Sequence, residues 1–286
     1  MIVVPQRLFS SPNVKVIARD GENAIIQKRL EGDLVGREAY VASHAISIVL
    51  RGKQSIETYE GNSCTIVAGE LLVLPRGVYY VTDLLAGEGA FESLLFYFDD
   101  DTVRQFTASI DVGQVHRERG DEYLSLVQST SIKAFATSLM TVYATVPLSG
   151  DLLRLKTLEL LHLIAANYST QQFANFIFRL ALPVRRNIRP FMEANCTKPL
   201  SVADYAYLTG RSLSTFRRDF KAQFNNTPQR WIRERRIRHA IALLEATDYR
   251  VVDLAAEAGY QNVSYFIRAF KAQTGQSPKQ YMLQNR

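Results

Sequence analysis

Residues 200–231 read LSVADYAYLTGRSLSTFRRDFKAQFNNTPQRW, and residues 249–281 read YRVVDLAAEAGYQNVSYFIRAFKAQTGQSPKQY. Set side by side, they are one unit written twice. Asp204, Ala206 and Gly210 match Asp253, Ala255 and Gly259 at an offset of 49. After one inserted residue in the second turn, Phe216, Phe220, Lys221, Ala222, Gln223, Pro228 and Trp231 match Phe266, Phe270, Lys271, Ala272, Gln273, Pro278 and Tyr281 at an offset of 50. Each unit has the parts of a helix-turn-helix. A short helix is predicted over Val202–Leu208 or Val251–Ala258, ending at a Gly that can take positive φ. A polar turn then leads into a second helix capped by Ser212 or Asn262, and Ala206 and Ala255 let the two helices approach closely.

The second helices, about Leu213–Gln223 and Val263–Thr274, carry Phe216 and Phe220, or Phe266 and Phe270, four residues apart on one face. Their other face is basic, with Arg217, Arg218 and Lys221 in one and Arg268 and Lys271 in the other. In a helix-turn-helix this second helix enters the major groove, where Arg bonds guanine edges bidentately and Ser or Asn serves bases or phosphates. Between the units, Thr227 caps a helix that starts at Pro228 and runs to about Ala246. Ile237, Ala240, Ile241 and Leu244 form its apolar face, and Arg230, Arg233, Arg235, Arg236 and Arg238 cover the rest. A rod of about 18 residues is roughly 27 Å long. Two heads held by it would meet successive major grooves on one face of DNA, about 34 Å apart.

Charge follows the same division. The whole chain of 286 residues carries +6, but residues 184–286 hold 18 Lys and Arg against 8 Asp and Glu, a net of +10, which leaves −4 on residues 1–183. That asymmetry points to a polyanion-binding domain joined to a neutral or acidic one, nucleic acid being the leading partner and an anionic membrane surface the lesser one. At 47% hydrophobic and 22% charged residues the chain is too apolar to be disordered, and its apolar runs, such as Ala45–Leu50, are too short to span a bilayer. The opening MIVVPQRLFSSP has no basic region leading into an apolar stretch, so no secretory signal is expected. Cys64 and Cys196 read as free thiols in a reducing cytoplasm.

From about Val14 to Phe98 the periodicity is that of strands. Ala24–Leu30, Ala45–Leu50, Gln54–Tyr59, Ser63–Val67, Glu70–Leu74, Tyr79–Leu84 and Phe91–Phe98 are short, rich in β-branched and aromatic residues, and separated by Gly, Asn, Asp and Pro. Such spacing predicts a small barrel or sandwich. From about Asp121 to Leu182 the period becomes helical. Leu152, Leu155, Leu158, Leu161 and Ile164 form a wide apolar stripe on a helix capped by Asp151, and a second helix over Phe173–Leu180 stops before Pro183. These stripes are expected to pack on their own barrel, with a dimer contact as the alternative. The segment Pro183–Pro190 is the expected junction, its boundary near Val184.

The carboxy-terminal third resembles the AraC/XylS transcription regulators, most closely from Asp253 to Tyr260, through Ser264 to Lys271, and at Gly275-Gln276-Ser277-Pro278. The resemblance implies base-facing roles for Ser214, Arg217 and Arg218, and groove or backbone contacts for Ser264, Tyr265 and Arg268. Lys221, Asn262 and Lys271 complete the DNA-binding candidates. Tyr207 and Arg211 are bulkier than the family pattern around the first turn. The amino-terminal region is similar to activators of type III secretion genes of the ExsA kind, through Ile48-Val49-Leu50-Arg51-Gly52, Ala68 to Gly77 and Leu94 to Phe98. In that group the barrel serves self-association and answers to regulatory proteins.

The competing reading is a small-molecule-binding or catalytic cupin with a basic appendage. An enzymatic cupin needs a histidine-rich metal site, and the barrel region offers His44 alone, with Ile46 where a second histidine is wanted. His116, His162 and His239 are scattered, so no catalytic residue, metal site or cofactor is expected. Trp231 and Tyr281 read as core anchors, and Asp204 and Asp253 as caps or helix-dipole partners. The expected fold is therefore α+β. A cupin-like β-barrel (about 14–100) with appended helices (about 121–182) forms a regulatory and dimerisation domain over 1–183. An all-α DNA-binding domain occupies 184–286, with helix-turn-helix units at 200–224 and 250–274 joined by a linker helix at 228–246. The expected partners are double-stranded promoter DNA, RNA polymerase, a second copy as a homodimer, and a regulatory protein or small-molecule effector. No membrane is expected, and the expected location is the cytoplasm, at the nucleoid.

Overall fold

Alternating apolar residues between Gly and Pro breakers become eleven strands in the computed structural model, which describes all residues except 59–60, 86–88, 111–121, 144–148, 181–184, 247–248 and 285–286. The chain divides into two compact units, Met1–Leu182 and Pro183–Arg286; the expected boundary residue Val184 lies outside the described residues.

The first unit contains β1 (Ile2–Val4), β2 (Val14–Asp20), β3 (Asn23–Leu30), β4 (Leu34–Val41), β5 (His44–Arg51), β6 (Lys53–Thr58), β7 (Ser63–Val67), β8 (Glu70–Leu74), β9 (Gly77–Leu84), β10 (Phe91–Phe98) and β11 (Leu124–Val127). They form a five-stranded sheet, β1-β4-β9-β6-β7, and a six-stranded sheet, β11-β8-β5-β10-β3-β2. All pairings are antiparallel except that of β1 with β4. One core lies between the sheets, where Ile26, Val49, Leu72, Phe91 and Leu95 meet Val41, Ile56, Ile66 and Tyr79. Within that core sits a polar group. The Lys28 ammonium pairs with the fully buried Asp83 carboxylate, which also accepts a hydrogen bond from Gln54 Nε2 at 2.6 Å. Burial, and after it the Asp83 charge, pushes the Tyr97 phenol well above its ordinary range.

A second core covers the outer face of the six-stranded sheet. Ile25, Ile46, Ile48, Leu71, Val73, Leu94 and Phe96 pack there against α1 (Asp100–Ala108), α2 (Thr130–Val142), α3 (Gly150–Asn167) and α4 (Thr170–Leu180). Strands β5, β8 and β10 are thus buried on both faces, which is why they read as unbroken apolar runs rather than alternating ones. Two expectations are corrected, and one helix lies where nothing was expected. Residues 124–127, expected within a helical region, form β11 because Leu124 and Leu126 complete the edge of the sheet beside β8. An additional helix, α1, precedes that region, capped by Asp99. The cap of α3 is Ser149, whose hydroxyl accepts from Leu152 N, and Asp151 lies in the first turn instead. The end of the expected strand Gln54–Tyr59, and His116, lie outside the described residues.

The second unit is helical: α5 (Ile188–Asn195), α6 (Val202–Leu208), α7 (Leu213–Phe224), α8 (Pro228–Ala246), α9 (Val251–Glu257), α10 (Val263–Thr274) and α11 (Pro278–Gln284). Helix α9 stops one residue short of the expected Ala258, which becomes its C-cap. Trp231 anchors the first half against Phe220 and Phe224, with ring centroids 5.7 and 4.9 Å away, and Tyr281 lies 5.5 Å from Phe270 in the second. No described helix is long and apolar enough to cross a membrane.

Candidate nucleic-acid interface

Helix-turn-helix geometry begins with the turn. The short helices α6 and α9 each end at a glycine in the left-handed region, Gly210 at φ 69° and Gly259 at φ 82°. Paired bonds close both ends: Gly210 N to Tyr207 O and Arg211 N to Ala206 O, then Gly259 N to Ala256 O and Tyr260 N to Ala255 O, all 2.8–2.9 Å. The entry caps differ. Ser201 and Asp204 form a reciprocal capping box on α6, whereas Asp253 on α9 pairs with Arg250 at 2.6 Å and caps nothing. Of the two roles expected of Asp253, cap or helix-dipole partner, it has the second, as the acid in the first turn of α9. The arginine at position 250 offers no side-chain acceptor to a helix N-terminus, so its guanidinium takes the carboxylate instead.

The reading helices follow. Ser212 Oγ accepts from Thr215 N at 3.3 Å to start α7, and Asn262 Oδ1 accepts from Tyr265 N at 2.9 Å to start α10. Phe216, Phe220, Phe266 and Phe270 are fully buried and fix the roll of each helix. Every expected DNA-binding residue is consequently exposed: Ser214, Arg217, Arg218 and Lys221 on α7, and Ser264, Tyr265, Arg268 and Lys271 on α10, with Asn262 at its cap. Ser214, Arg217, Arg218 and Lys221 follow i, i+3, i+4, i+7 spacing, so at 100° per residue they share an arc of roughly 100°. Ser264, Arg268 and Lys271 repeat the stripe with the half-buried Ile267 in the place of Arg217. Some of these groups already have local work. Ser214 Oγ lies 3.1 Å from Ser212 Oγ, and Asn262 is committed to its cap. Lys221 and Lys271 stand in last turns, where a cation also favours the helix dipole.

Not all of the basic charge faces outward. Arg211, which departs from the family pattern, is tucked in: Nη1 donates to Arg186 O at 2.8 Å and Thr209 O at 2.6 Å, and Nε to Asp219 Oδ2 at 3.1 Å. That bond, with Arg218 nearby, holds the Asp219 carboxyl below its usual range. Arg186 donates to Leu208 O at 2.8 Å, and Arg189 to Gln223 O, which ties the start of the second unit to the first head. Arg236 is also inward, donating to Cys196 O at 2.8 Å, to Lys198 O, and to Leu200 O at 3.3 Å. The expectation that it shares the outer face of the linker helix is corrected. Its phase carried the signal, since 232, 236 and 240 lie in one line and Ile232 and Ala240 are buried.

The cupin-type metal reading fares no better by position. His44 is buried, with Nε2 2.9 Å from Asp100 Oδ1 and Nδ1 accepting from Arg76 N at 3.2 Å, so both ring nitrogens are engaged. His162 is exposed on α3, its ring 5.0 Å from Phe106. No cluster of metal-ligating side chains occurs among the described residues. Cys196 is buried, and that burial pushes its thiol up.

Two known families match the chain: an ExsA N-terminal regulatory domain over residues 44–176 and a helix-turn-helix domain over residues 205–284. The HTH-type transcriptional regulator ExsA of Pseudomonas aeruginosa is 27% identical over 246 residues, covering 82% of this chain and 84% of that protein. The virulence regulon transcriptional activator VirF of Yersinia enterocolitica is 32% identical over 132 residues, 46% of this chain and 49% of that protein. Among solved structures, ToxT from Vibrio cholerae aligns over 96% of this chain and 98% of its own at 12% identity, with a TM-score of 0.41. The chain thus matches an ExsA-type regulatory domain and, after it, a helix-turn-helix domain, and the relatives it matches are transcription regulators.

Proposed function

We propose that this protein is a transcription activator that binds promoter DNA in two successive major grooves, one with α7 and one with α10. The observation that carries the reading is the repeated outward stripe, Ser214–Arg218–Lys221 and Ser264–Arg268–Lys271, set opposite the buried phenylalanine pairs of both helices. Arg217, Arg218 and Arg268 supply guanine contacts, with Ser214, Ser264, Tyr265 and Asn262 at neighbouring bases or phosphates and the two lysines on the backbone. The 19-residue helix α8 is the spacer, about 28 Å long at 1.5 Å per residue. Residues 1–182 receive the signal, from a regulatory protein or a small ligand, and self-associate. The DNA-bound form recruits RNA polymerase in the cytoplasm, a role supported by relatives named as transcriptional activators.

The test is a titration of the full chain, at fixed salt, against duplexes selected by the protein itself from a random pool. Selection should return two conserved half-sites about one helical turn apart. Recovery of a single half-site, or of no consensus, would defeat the two-groove reading.

A further inference from the structure

The loop between α5 and α6 is where both heads and the linker helix meet. Tyr205 of the first head donates its hydroxyl to Asn195 O at 2.7 Å and Lys198 O at 3.1 Å. Arg236 of α8 donates to three carbonyls of the same loop, those of Cys196, Lys198 and Leu200. The second head arrives from the other side. Gln261 Nε2 donates to Pro199 O at 3.3 Å, and the Arg236 guanidinium lies 5.6 Å from the centre of the Tyr260 ring. At Gly259 the backbones approach so closely that a Cβ there would stand 2.1 Å from Thr197 O and 3.1 Å from Arg236 Nε. Burial pushes the Tyr260 phenol up to about 12, against the opposing pull of Arg236.

A helix alone fixes the distance between two heads, but small rotations about its ends leave their relative aim loose. Five backbone carbonyls between Asn195 and Leu200, gripped from α6, α8 and the second turn, remove that freedom. We infer that Arg236 is a positioning residue: it touches no DNA, and it locks the two reading helices in the mutual orientation that lets both enter their grooves at once. The inference rests on the two-groove reading. When the second head is held in place, its binding is effectively intramolecular, and the gain is lost when geometry no longer matches the two sites. Lysine cannot replace Arg236, because an ammonium lacks the planar fork that reaches several carbonyls together.

The experiment uses the full chain and three synthetic duplexes: the selected two-half site, the same site with one half scrambled, and the two-half site with two base pairs inserted between the halves. Arg236→Lys keeps the charge, so lost phosphate attraction cannot explain a change. The expected result is a fall of about ten-fold or more in affinity for the two-half site, with one-half binding within about two-fold of the parent chain. The penalty of the insertion should also shrink, since loosely coupled heads tolerate wrong spacing. Gln261→Ala, a milder change at an exposed residue, should move the same ratio in the same direction, and it decides the matter if Arg236→Lys does not fold. An equal fall on one-half and two-half DNA, or an unchanged ratio in both variants, overturns the inference. A parent chain that binds one-half and two-half DNA alike overturns the two-groove reading itself.

Discussion

Asp219 stands with its carboxylate 3.5 Å from the Arg218 guanidinium, the residue that points directly away from the buried Phe216–Phe220 face. The same carboxylate is anchored from behind by Arg211 at 3.1 Å. An inner arginine thus holds an acid, and the acid steadies the outer arginine. The second head has no such arrangement, because its turn carries Tyr260 and Gln261 instead of Arg211 and the buried Ala269 takes the place of Asp219. Arg218→Ala should cost about 1–3 kcal/mol of binding to the selected site, the range of one bidentate guanine contact. Asp219→Ala should do something different. Removing a negative charge raises affinity for scrambled DNA, while freeing Arg218 lowers the ratio of selected to scrambled binding. Titrations of both variants at one salt concentration read the two numbers, and an unchanged ratio in Asp219→Ala would show that Arg218 needs no support.

The pH dependence of that support has a definite sign. A carboxyl held below its unfolded value, about 3.9 for Asp, contributes its stabilisation fully above that pH and loses it as pH falls through the lower folded value. Asp219 is held down chiefly by the Arg211 hydrogen bond. Base preference should therefore be flat from about pH 6 to 8 as far as this pair is concerned. A preference that titrates in that window in the parent chain but not in Asp219→Asn would contradict this.

Gly259 and Gly275 share φ 82° but differ in their surroundings. A Cβ on Gly259 would meet Thr197 O at 2.1 Å, whereas one on Gly275 would meet nothing within 4 Å. Gly275→Ala should thus lose only the left-handed backbone penalty, about 1–2 kcal/mol. Gly259→Ala adds a backbone collision and should destabilise the second unit clearly more. Thermal unfolding of the two variants compares them, and equal midpoints would mean that the loop yields without cost.

How far these features are legible in the sequence depends on which side of an element they face. The repeat is plain because close helix packing demands Ala206 and Ala255, the turn demands Gly210 and Gly259, and the core demands the four phenylalanines. Exposed stripes follow from the same phase, which is why all nine candidate DNA-binding residues lie at the surface. Arginine defeats this logic. Arg211, Arg236 and Arg186 have the composition of a DNA-binding face, but their guanidinium groups bind backbone carbonyls that only the folded chain brings together. Strand β4 was illegible for another reason. Its first half is exposed and broken by Gly36 at φ 57°, where pairing with β9 shifts register, so LVGREAYV shows no regular alternation.

Between the sheets of the first unit, Asp83 is the sole described carboxylate that is fully buried, and Lys28 is its counter-charge. Asp83→Ala would strand the Lys28 ammonium and leave Gln54 Nε2 without its acceptor. Removing one partner of a buried pair costs about 3–5 kcal/mol, whereas replacing both by apolar groups is often close to neutral. The double variant Lys28→Met, Asp83→Leu should therefore be more stable than Asp83→Ala alone. Chemical denaturation resolves the order, and a double variant no better than the single would place the stabilising role elsewhere in the network.

Salt separates the residues that read from those that merely hold. Each phosphate contact releases a counterion, so the slope of log affinity against log salt should become shallower by about 1 when Lys221 or Lys271 is replaced by Ala. The loss should be the same on selected and scrambled duplexes, because a phosphate contact carries no sequence information. Arg268→Ala should behave otherwise. It has no ion-pair partner among the described residues, and as a base contact it should change preference at one position of the second half-site beyond any change in slope. If Arg268→Ala and Lys271→Ala shift slope and preference alike, the stripe on α10 is an electrostatic handle, and sequence reading falls to α7 alone.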